Sequence, residues 1–397
     1  MIKVLRAWCF GLLLACSIVS QAPAADLITF WDTQQKGGNS FNEAPPDEAY
    51  FTALAETGAT WVRLTFSKWK GEGRDFLIGD VDHYKGLKEK DLATLRKVLD
   101  AAQAAGLKVV VVPLSLPGAR WVQQNGGKFD DRLWSDPAFS DQAARFWADL
   151  AAALKDHPAV AAYNLLNEPA PEKTTGLPEN AAMHDLATWQ EEQAGGPRDL
   201  PKLYERIAAA IRTADAVTPV MVDSGYYANP RSLAAWPARL SDERVLYAFH
   251  MYEPYAATSA PNMQRKVPLR YPGVTTNYAG GRLAWDRAAV AAHIDVAFDW
   301  AKAQGLPPNR VVAAEFGCMR LWRDCRAYLE DVIDAVDARG GHWAFYSFRE
   351  DVWDGMDYEL PASLTLGRFY WLAEQHRTEG LSRNGGLMRL LQQRMRN

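Results

Sequence analysis

The sequence predicts an α/β protein built as a (β/α)8 TIM barrel, one domain with enlarged loops after its strands. Short apolar runs alternate with longer stretches of helical periodicity, which is typical of a parallel sheet with crossover helices. Several helical stretches end at a glycine before the next apolar run, as at Gly58, Gly106 and Gly305. With 397 residues, 48% of them hydrophobic, the chain has ample material for a core. The predicted strands are 27–31, 60–65, 108–114, 159–166, 219–223, 245–251, 310–316 and 342–348.

The segments between these strands supply the helices and the large loops. Helical periodicity predicts helices over 91–105, 141–156, 203–216, 287–304 and 327–338. The segments 169–201 and 253–285 are rich in proline and glycine, and both follow strand ends. Loops of that length at such positions are more often lids or binding walls than linkers. We therefore place one barrel domain over residues 26–397.

The first 25 residues read as a cleaved signal peptide rather than as part of the fold. Lys3 and Arg6 form a basic start, an apolar stretch follows over 7–19, and Ala22-Pro23-Ala24 resembles a cleavage site. We therefore expect a secreted or periplasmic protein. Cys16 lies in a string similar to a bacterial lipoprotein box, so a lipid anchor is the less favoured alternative.

Two cysteines remain after the leader, Cys318 and Cys325. In an oxidising compartment a disulfide between them is expected. A metal pair is the alternative, but no histidine or cysteine partner has suitable spacing.

The amino-acid composition limits the kinds of molecule that the chain is expected to bind. The formal net charge of -4 provides no basic surface for nucleic acid or an anionic membrane. The chain contains 15 Trp and 15 Tyr, whose flat faces and polar edges suit contact with sugar rings, although most are expected in the core. Trp31, Trp69, Trp121 and Trp134 are the candidate sugar platforms.

Two short motifs carry the chemistry. Asn167-Glu168-Pro169 and Glu315-Phe316-Gly317 each place a carboxylate where an apolar run ends. In a parallel barrel those strand ends share one rim, where active sites form. Hydrolysis of a glycosidic bond requires two carboxylates on opposite sides of the sugar. The two glutamates therefore indicate a polysaccharide hydrolase.

These motifs resemble family-5 glycoside hydrolases, the cellulase and mannanase group. Arg63 in Trp61-Val62-Arg63-Leu64 matches the family's arginine after the second strand, and His250-Met251-Tyr252 matches its His-x-Tyr after the sixth. The resemblance implies a retaining reaction with Glu168 as general acid and base and Glu315 as nucleophile. It also implies that Asn167 binds the sugar 2-hydroxyl, that Arg63 and Tyr252 keep Glu315 ionised, and that His250 orients a carboxylate.

The chain departs from the family pattern in two places. After the third strand no histidine follows, so Ser115 or Trp121 is expected to fill that position. After the eighth strand the family's tryptophan is absent, and Phe348 or Trp353 is the expected substitute.

Three further features fit more than one interpretation. Asp223 and Glu350 are rival carboxylates at strand ends, expected at most to support the catalytic pair. Residues 353–359 are either a cleft wall or a structural loop. The histidines other than His250, including His293, are expected to be ordinary surface or core residues.

The leading hypothesis is a retaining β-glycosidase, acting on a β-1,4-glucan or a related chain and cutting within it. A β-mannanase, a bacterial exopolysaccharide hydrolase and a transglycosylase fit the same residues, and a non-catalytic carbohydrate-binding barrel is the rival of a different class. No zinc-protease, phosphate-loop, dinucleotide or serine-hydrolase motif is present, and no cofactor is implied. We expect an oligo- or polysaccharide as the partner and a monomer as the assembly.

Overall fold

A computed structural model describes residues 27–276, 282–368 and 385–397 of the chain. Within these ranges the strands are β1 (Lys36–Ser40), β2 (Trp61–Thr65), β3 (Lys108–Val112), β4 (Val160–Asn164), β5 (Val220–Asp223), β6 (Val245–Met251), β7 (Gly273–Thr276), β8 (Arg282–Trp285), β9 (Val311–Phe316) and β10 (His342–Phe345). Strands β7 and β8 form a separate antiparallel hairpin. The other eight pair in parallel and close into a barrel in the order β1-β2-β3-β4-β5-β6-β9-β10. The predicted TIM barrel is confirmed.

Helices separate the barrel strands along the chain. They are α1 (Glu48–Glu56), α2 (Glu89–Ala104), α3 (Pro137–Leu154), α4 (Met183–Gln193), α5 (Leu200–Arg212), α6 (Gly225–Ala228), α7 (Pro230–Ala234), α8 (Tyr255–Thr258), α9 (Ala260–Met263), α10 (Arg287–Ala303), α11 (Cys325–Asp337) and α12 (Gly386–Arg396). The five predicted helices correspond to α2, α3, α5, α10 and α11. No helix in the described ranges combines the length and apolar character needed to cross a bilayer.

Helix α5 shows how sequence determines these elements. The Asp199 carboxylate accepts a hydrogen bond from the Lys202 N–H, which satisfies a donor in the first helical turn. Leu203, Ile207 and Ile211 recur every four residues and are all buried. The helix therefore presents one continuous apolar stripe to the barrel.

The strands are apolar because helices cover one face and the barrel interior the other. Strand β3, with four consecutive valines, is buried along all of them. For seven of the eight predicted strands the structure has a barrel strand within the predicted range, and β6 has the predicted bounds. The other six predictions extend one to three residues beyond the observed strands.

The first predicted strand, 27–31, is wrong. Residues Leu27–Asp32 form a 3-10 helix, and the first barrel strand is β1, with the sequence Lys-Gly-Gly-Asn-Ser. That strand has no apolar pattern because neighbouring rings occupy the space beside it. A Cβ atom on Gly37 would lie 2.3 Å from the Trp61 carbonyl oxygen, so the close approach of β2 requires glycine.

Trp31, at the end of the 3-10 helix, closes the barrel at the starts of the strands. Its indole N–H donates to the Ala161 carbonyl oxygen at 3.2 Å, and its ring meets the Trp61 and His342 rings edge to face. The side chain is completely buried. Trp31 is therefore core and not a sugar platform.

The two long loops contain elements of their own. Residues 169–201 hold a 3-10 helix, Pro171–Thr175, and α4, while 253–285 hold α8, α9 and the hairpin, except for 277–281, which are not described. Both loops line the large cavity at the ends of the strands, through Glu179 and through Glu253 and Tyr255. They form walls of this cavity, and their role in binding stays a prediction. The predicted leader and Cys16 lie outside the described residues.

Candidate active site

Four strand ends bring the six family-matched residues together. Arg63 lies in β2, His250 in β6 and Glu315 in β9, while Asn167 and Glu168 follow β4. Strands β6 and β9 pair with His250 opposite Glu315. Tyr252 directly follows β6. Parallel strands therefore place all six side chains on one rim, as the sequence predicted.

Glu315 is a buried carboxylate held at both oxygens. Its Oε1 lies 2.6 Å from Arg63 Nη1, and its Oε2 accepts a 2.8 Å hydrogen bond from the Tyr252 hydroxyl. Only 4% of the residue is exposed. These contacts prevent the carboxylate from rotating.

Glu168 faces Glu315 and is more accessible. Its Oε1 lies 2.9 Å from His250 Nδ1, and 31% of its side chain is exposed. Its backbone takes a positive φ of 49°, with the N–H donating to Asp223 Oδ2 at 3.1 Å. A carboxylate oxygen of Glu168, one of Glu315 and a ring nitrogen of His250 all lie within 4.8 Å of one another. The two glutamates therefore border one small gap.

Opposing effects set the charge of this cluster. Burial raises the pKa of Glu315, and the charge of Glu168 raises it further, while His250, Arg63 and the Tyr252 hydroxyl lower it. Arg63 and Tyr252 thus act in the predicted sense, but burial outweighs them. Burial alone would lower the pKa of His250, whereas Glu315, Asp223 and Glu168 together raise it. The neighbouring carboxylates therefore favour the charged form of the His250 ring.

A buried network orients the arginine. Arg63 is fully buried and donates to Asn164 Oδ1 at 2.7 Å, to Asn167 Oδ1 at 2.9 Å and to Asp223 Oδ2 at 3.1 Å. Asp223 also accepts from Asn164 Nδ2 at 2.9 Å. Asp223 therefore supports the pair rather than competing with it. Asn39 completes the set, with its Oδ1 3.4 Å from Arg63 Nη1.

Sequence reasoning missed Asn39 and Asn164. Asn164 is a buried polar residue at the end of an otherwise apolar strand, and that isolated amide was the available signal. Asn39 had none, because its strand was not recognised.

Within the described ranges, one group of residues brings three candidate metal ligands close together. It contains the glutamate pair and a histidine: Glu168, Glu315 and His250. The Arg63 guanidinium already lies against Glu315, so its positive charge opposes a second cation there. The donor set is therefore better suited to proton transfer than to metal binding.

The glutamates open into a cavity of about 950 Å³, and Trp121 and Trp353 line it as predicted. Phe348 does not take this role. It is fully buried and packs against the Tyr50 ring, because the chain turns inward after β10. Tyr346 lines the cavity instead, a residue that sequence reasoning missed although it directly follows the strand.

Two other predictions about the cavity need correction. Ser115 is buried, and its hydroxyl accepts a hydrogen bond from the backbone N–H of Trp121 at 2.9 Å. Ser115 therefore supports the cavity wall without lining it. His293, expected to be an ordinary surface or core histidine, lines the cavity, and its Nε2 has no hydrogen-bond partner among the residues that the structure describes. Burial lowers the pKa of His293 to about 4, so its ring is neutral near pH 7.

Two of the remaining candidate platforms are core residues. Trp69 and Trp134 are 3% and 2% exposed, although Trp134 borders a smaller adjoining cavity of about 320 Å³. Residues 353–359 were expected to form either a cleft wall or a structural loop, and each expectation is correct for part of the segment. Trp353 and Met356 line the large cavity, whereas Asp354 pairs with Arg320 at 3.3 Å.

The predicted disulfide is present between Cys318 and Cys325. It closes the segment between the end of β9 and the start of α11, directly after Glu315. The Cys318 N–H also donates to the Tyr358 hydroxyl at 2.9 Å.

A closed barrel with two facing glutamates on its rim has the carboxylate pair that a glycoside hydrolase needs. Over residues 26–351 the sequence matches the family described as Cellulase (glycosyl hydrolase family 5). The chain belongs to glycosyl hydrolase family 5.

Comparison with known proteins supports this class. A curated β-xylosidase of Phanerodontia chrysosporium is 26% identical over 218 residues, 54% of this chain and 38% of that protein, so the chain spans well under half of this relative.

Solved structures share the fold at low sequence identity. An endoglucanase superposes with a TM-score of 0.62 at 18% identity, covering 92% of this chain and 99% of its own. Thermotoga maritima endoglucanase Cel5A gives a TM-score of 0.59 at 16% identity, covering 84% and 94%.

Proposed function

We propose that this glycoside hydrolase cleaves a β-1,4-glucan or a related β-linked chain with retention of anomeric configuration. The observation that carries the proposal is the short gap between Glu168 and Glu315, whose nearest oxygens lie within 4.8 Å. Retaining enzymes hold their two carboxyl groups about 5–5.5 Å apart, whereas inverting enzymes need roughly 6.5–9.5 Å to admit a water molecule. The gap favours direct attack by one carboxylate.

In the first step Glu315 attacks the anomeric carbon and the glycosidic C–O bond breaks. Glu168 gives its proton to the leaving oxygen, and the sugar becomes an ester of Glu315. In the second step Glu168 takes a proton from water, the water oxygen bonds to the anomeric carbon, and the ester bond breaks. The exposed position of Glu168 suits this role, because the leaving group and then the water must reach it.

The surrounding residues stabilise this chemistry. Arg63 and Tyr252 position Glu315 for attack. The Asn167 Oδ1 accepts from Arg63, which leaves the amide NH2 as the donor toward the sugar 2-hydroxyl. A hydrogen bond there strengthens as positive charge develops on the sugar ring.

The cavity supports a chain-like substrate. It is larger than one sugar ring needs, and Trp121, Tyr227 and Trp353 offer aromatic faces at separate places on its wall. Product analysis on soluble β-glucans, mannans and xylans tests the substrate class. Release of oligosaccharides of several lengths from a β-1,4-glucan supports internal cleavage, and activity confined to mannan or xylan contradicts the glucan proposal.

The first prediction concerns the nucleophile. Glu315→Ala should lower turnover on the order of 10⁴-fold or more, because no ester can form, while sugar binding persists. Steady-state kinetics and a binding titration measure the two effects. Glu330→Ala, on α11, is the control and should keep wild-type turnover. Normal activity in Glu315→Ala would remove the mechanism.

We also propose that the protein is exported and that its leader is removed. The support is the basic, apolar and small-residue sequence of the leader and the Cys318–Cys325 disulfide. Mass spectrometry of the protein from its native host measures the new N-terminus. An N-terminus near residue 25 supports signal cleavage, a lipid-modified Cys16 supports the anchor, and an intact leader contradicts both.

A further inference from the structure

A buried ion pair stands on the wall of the catalytic cavity. Lys68, after β2, and Glu350, after β10, join with Nζ and Oε1 2.6 Å apart. Their side chains are only 9% and 2% exposed, yet both residues line the cavity that contains the catalytic glutamates. The six residues of the family resemblance do not include this pair.

The pair is connected to the nucleophile through aromatic residues. The Tyr346 hydroxyl donates to Glu350 Oε2 at 2.7 Å. The Tyr346 ring meets the Tyr252 ring edge to face at 6.5 Å, and the Tyr252 hydroxyl donates to Glu315. The Lys68–Glu350 ion pair therefore lies on the Glu315 side of the site.

Aromatic rings also hold the lysine in place. The Lys68 ammonium lies 5.4 Å from the centroid of the Trp121 ring and 5.8 Å from that of Phe41. Cation–π contact and the salt bridge together fix a side chain that is otherwise among the most flexible.

Stability does not account for this arrangement. Removing two charges from water costs several kcal/mol per ion, and apolar side chains of similar size are often as stable. What the pair offers is a fixed N–H donor beside a fixed carboxylate acceptor. Two neighbouring hydroxyls of a sugar ring present the complementary acceptor and donor.

We propose that Lys68 and Glu350 bind the neighbouring 2- and 3-hydroxyls of the glycone, the sugar that becomes attached to Glu315. Both hydroxyls stay free inside a β-1,4-linked chain, and the 2-hydroxyl keeps its own proton to donate when it accepts from Asn167. This inference rests on the proposed function, because Glu168 then serves the leaving group and the Glu315 side receives the glycone. The pair selects a neutral sugar with both hydroxyls unsubstituted. It excludes a glycone acylated at either position, since an ester oxygen has no proton to donate to Glu350 and the acyl group would press against the buried pair.

The test measures kcat/KM on 2,4-dinitrophenyl β-glucoside and on its 2-, 3- and 4-deoxy analogues. Lys68→Met and Glu350→Gln should each lose about 10²–10³-fold on the parent glucoside, the scale of a removed charged hydrogen bond in a buried site. On an analogue that lacks the bound hydroxyl, the loss should shrink to less than about tenfold. Lys70→Met, an exposed lysine two residues away, is the control and should match the wild type.

A purely structural role makes the opposite prediction. The exchange variant Lys68→Glu/Glu350→Lys restores an ion pair but inverts donor and acceptor. Recovery of wild-type kcat/KM in that variant, or an equal loss on all four glucosides, would overturn the inference. Persistent loss on the parent glucoside supports it.

Labelling by 2,4-dinitrophenyl 2-deoxy-2-fluoro-β-glucoside separates failure of this inference from failure of the proposed function. If the wild type cleaves neither soluble β-linked polysaccharides nor the parent glucoside and takes no label, the proposed function fails. If the wild type and both variants take the label, the sites are folded and the deoxy series decides. Should Glu350→Gln not fold, Lys68→Met alone decides by the same comparison.

Discussion

At the scale of single residues, the ionisable groups of the active site lie in direct contact with one another. Glu315 is buried beside Arg63, and His250 lies between the carboxylates, so each ionisation depends on its neighbours. The raised pKa of Glu315 means that the nucleophile ionises at a higher pH than an exposed glutamate does. The acidic limb of kcat/KM should therefore lie above the ordinary glutamate pKa.

Tyr252→Phe tests this electrostatic account. Its hydroxyl lowers the pKa of Glu315, so its removal should raise that pKa further and move the acidic limb of kcat/KM to higher pH. The pH profile of each variant measures the shift. Tyr328→Phe, which removes a buried hydroxyl bonded to the Met251 carbonyl oxygen, should leave the limb unchanged. An unmoved limb in Tyr252→Phe would show that another group controls it.

At the scale of elements, the four-residue segment α6 after β5 is a left-handed turn rather than a regular helix, and it shapes the wall of the cavity. Tyr226, Tyr227 and Ala228 all have positive φ, which is costly for residues with side chains. The buried Glu172 carboxylate accepts from the Tyr226 N–H at 3.1 Å, and Tyr227 lines both cavities. Burial raises the pKa of Glu172 to about 7.

Gly225→Ala should disrupt this turn. The new Cβ would lie 1.8 Å from Glu172 Oε1, so the carboxylate must move and release the Tyr226 N–H. We expect a loss of about 1–3 kcal/mol in the free energy of unfolding. A higher KM for oligosaccharides should accompany it, with turnover of small aryl glycosides largely kept. Denaturation and kinetics measure these effects.

Gly386→Ala is the control for that substitution, because its Cβ would meet its nearest neighbour at 3.8 Å. It should be neutral. Wild-type stability and KM in Gly225→Ala would contradict the role given to the turn.

The elements also show how far sequence could predict this fold. Strands buried on both faces read as continuous apolar runs, so seven were recognised, and their ends located Glu168 and Glu315. Strand β1 escaped because its side chains are small or polar. Lys68 carried no local signal, since only closure of the barrel brings the loops after β2 and β10 together.

At the scale of the whole molecule, the barrel separates stability from chemistry. Trp31 and Trp61 fill one end, among buried alanines and valines, while the charged groups of the candidate active site lie at the other. To keep the activity, the closed end of the barrel therefore needs only to stay filled by packed side chains of suitable volume. The long loops build the cavity and can vary without changing this core.

Trp31→Ala tests that separation. Removing a fully buried tryptophan should cost about 3–5 kcal/mol in the free energy of unfolding. Under conditions where the variant remains folded, kcat/KM should stay within about twofold of the wild type, since the site lies at the opposite rim. Urea denaturation and steady-state kinetics measure the two quantities. Lost activity in a stably folded variant would contradict the division.

The central claim is that Glu315 forms a covalent bond to the sugar while Glu168 transfers the proton. Mass spectrometry of the enzyme treated with 2,4-dinitrophenyl 2-deoxy-2-fluoro-β-glucoside measures this directly, because the fluorine slows release of the ester. We predict one added fluoroglucosyl group, located on the peptide that contains Glu315. A label on a different residue, or turnover to a product of inverted configuration with no label, would contradict the account.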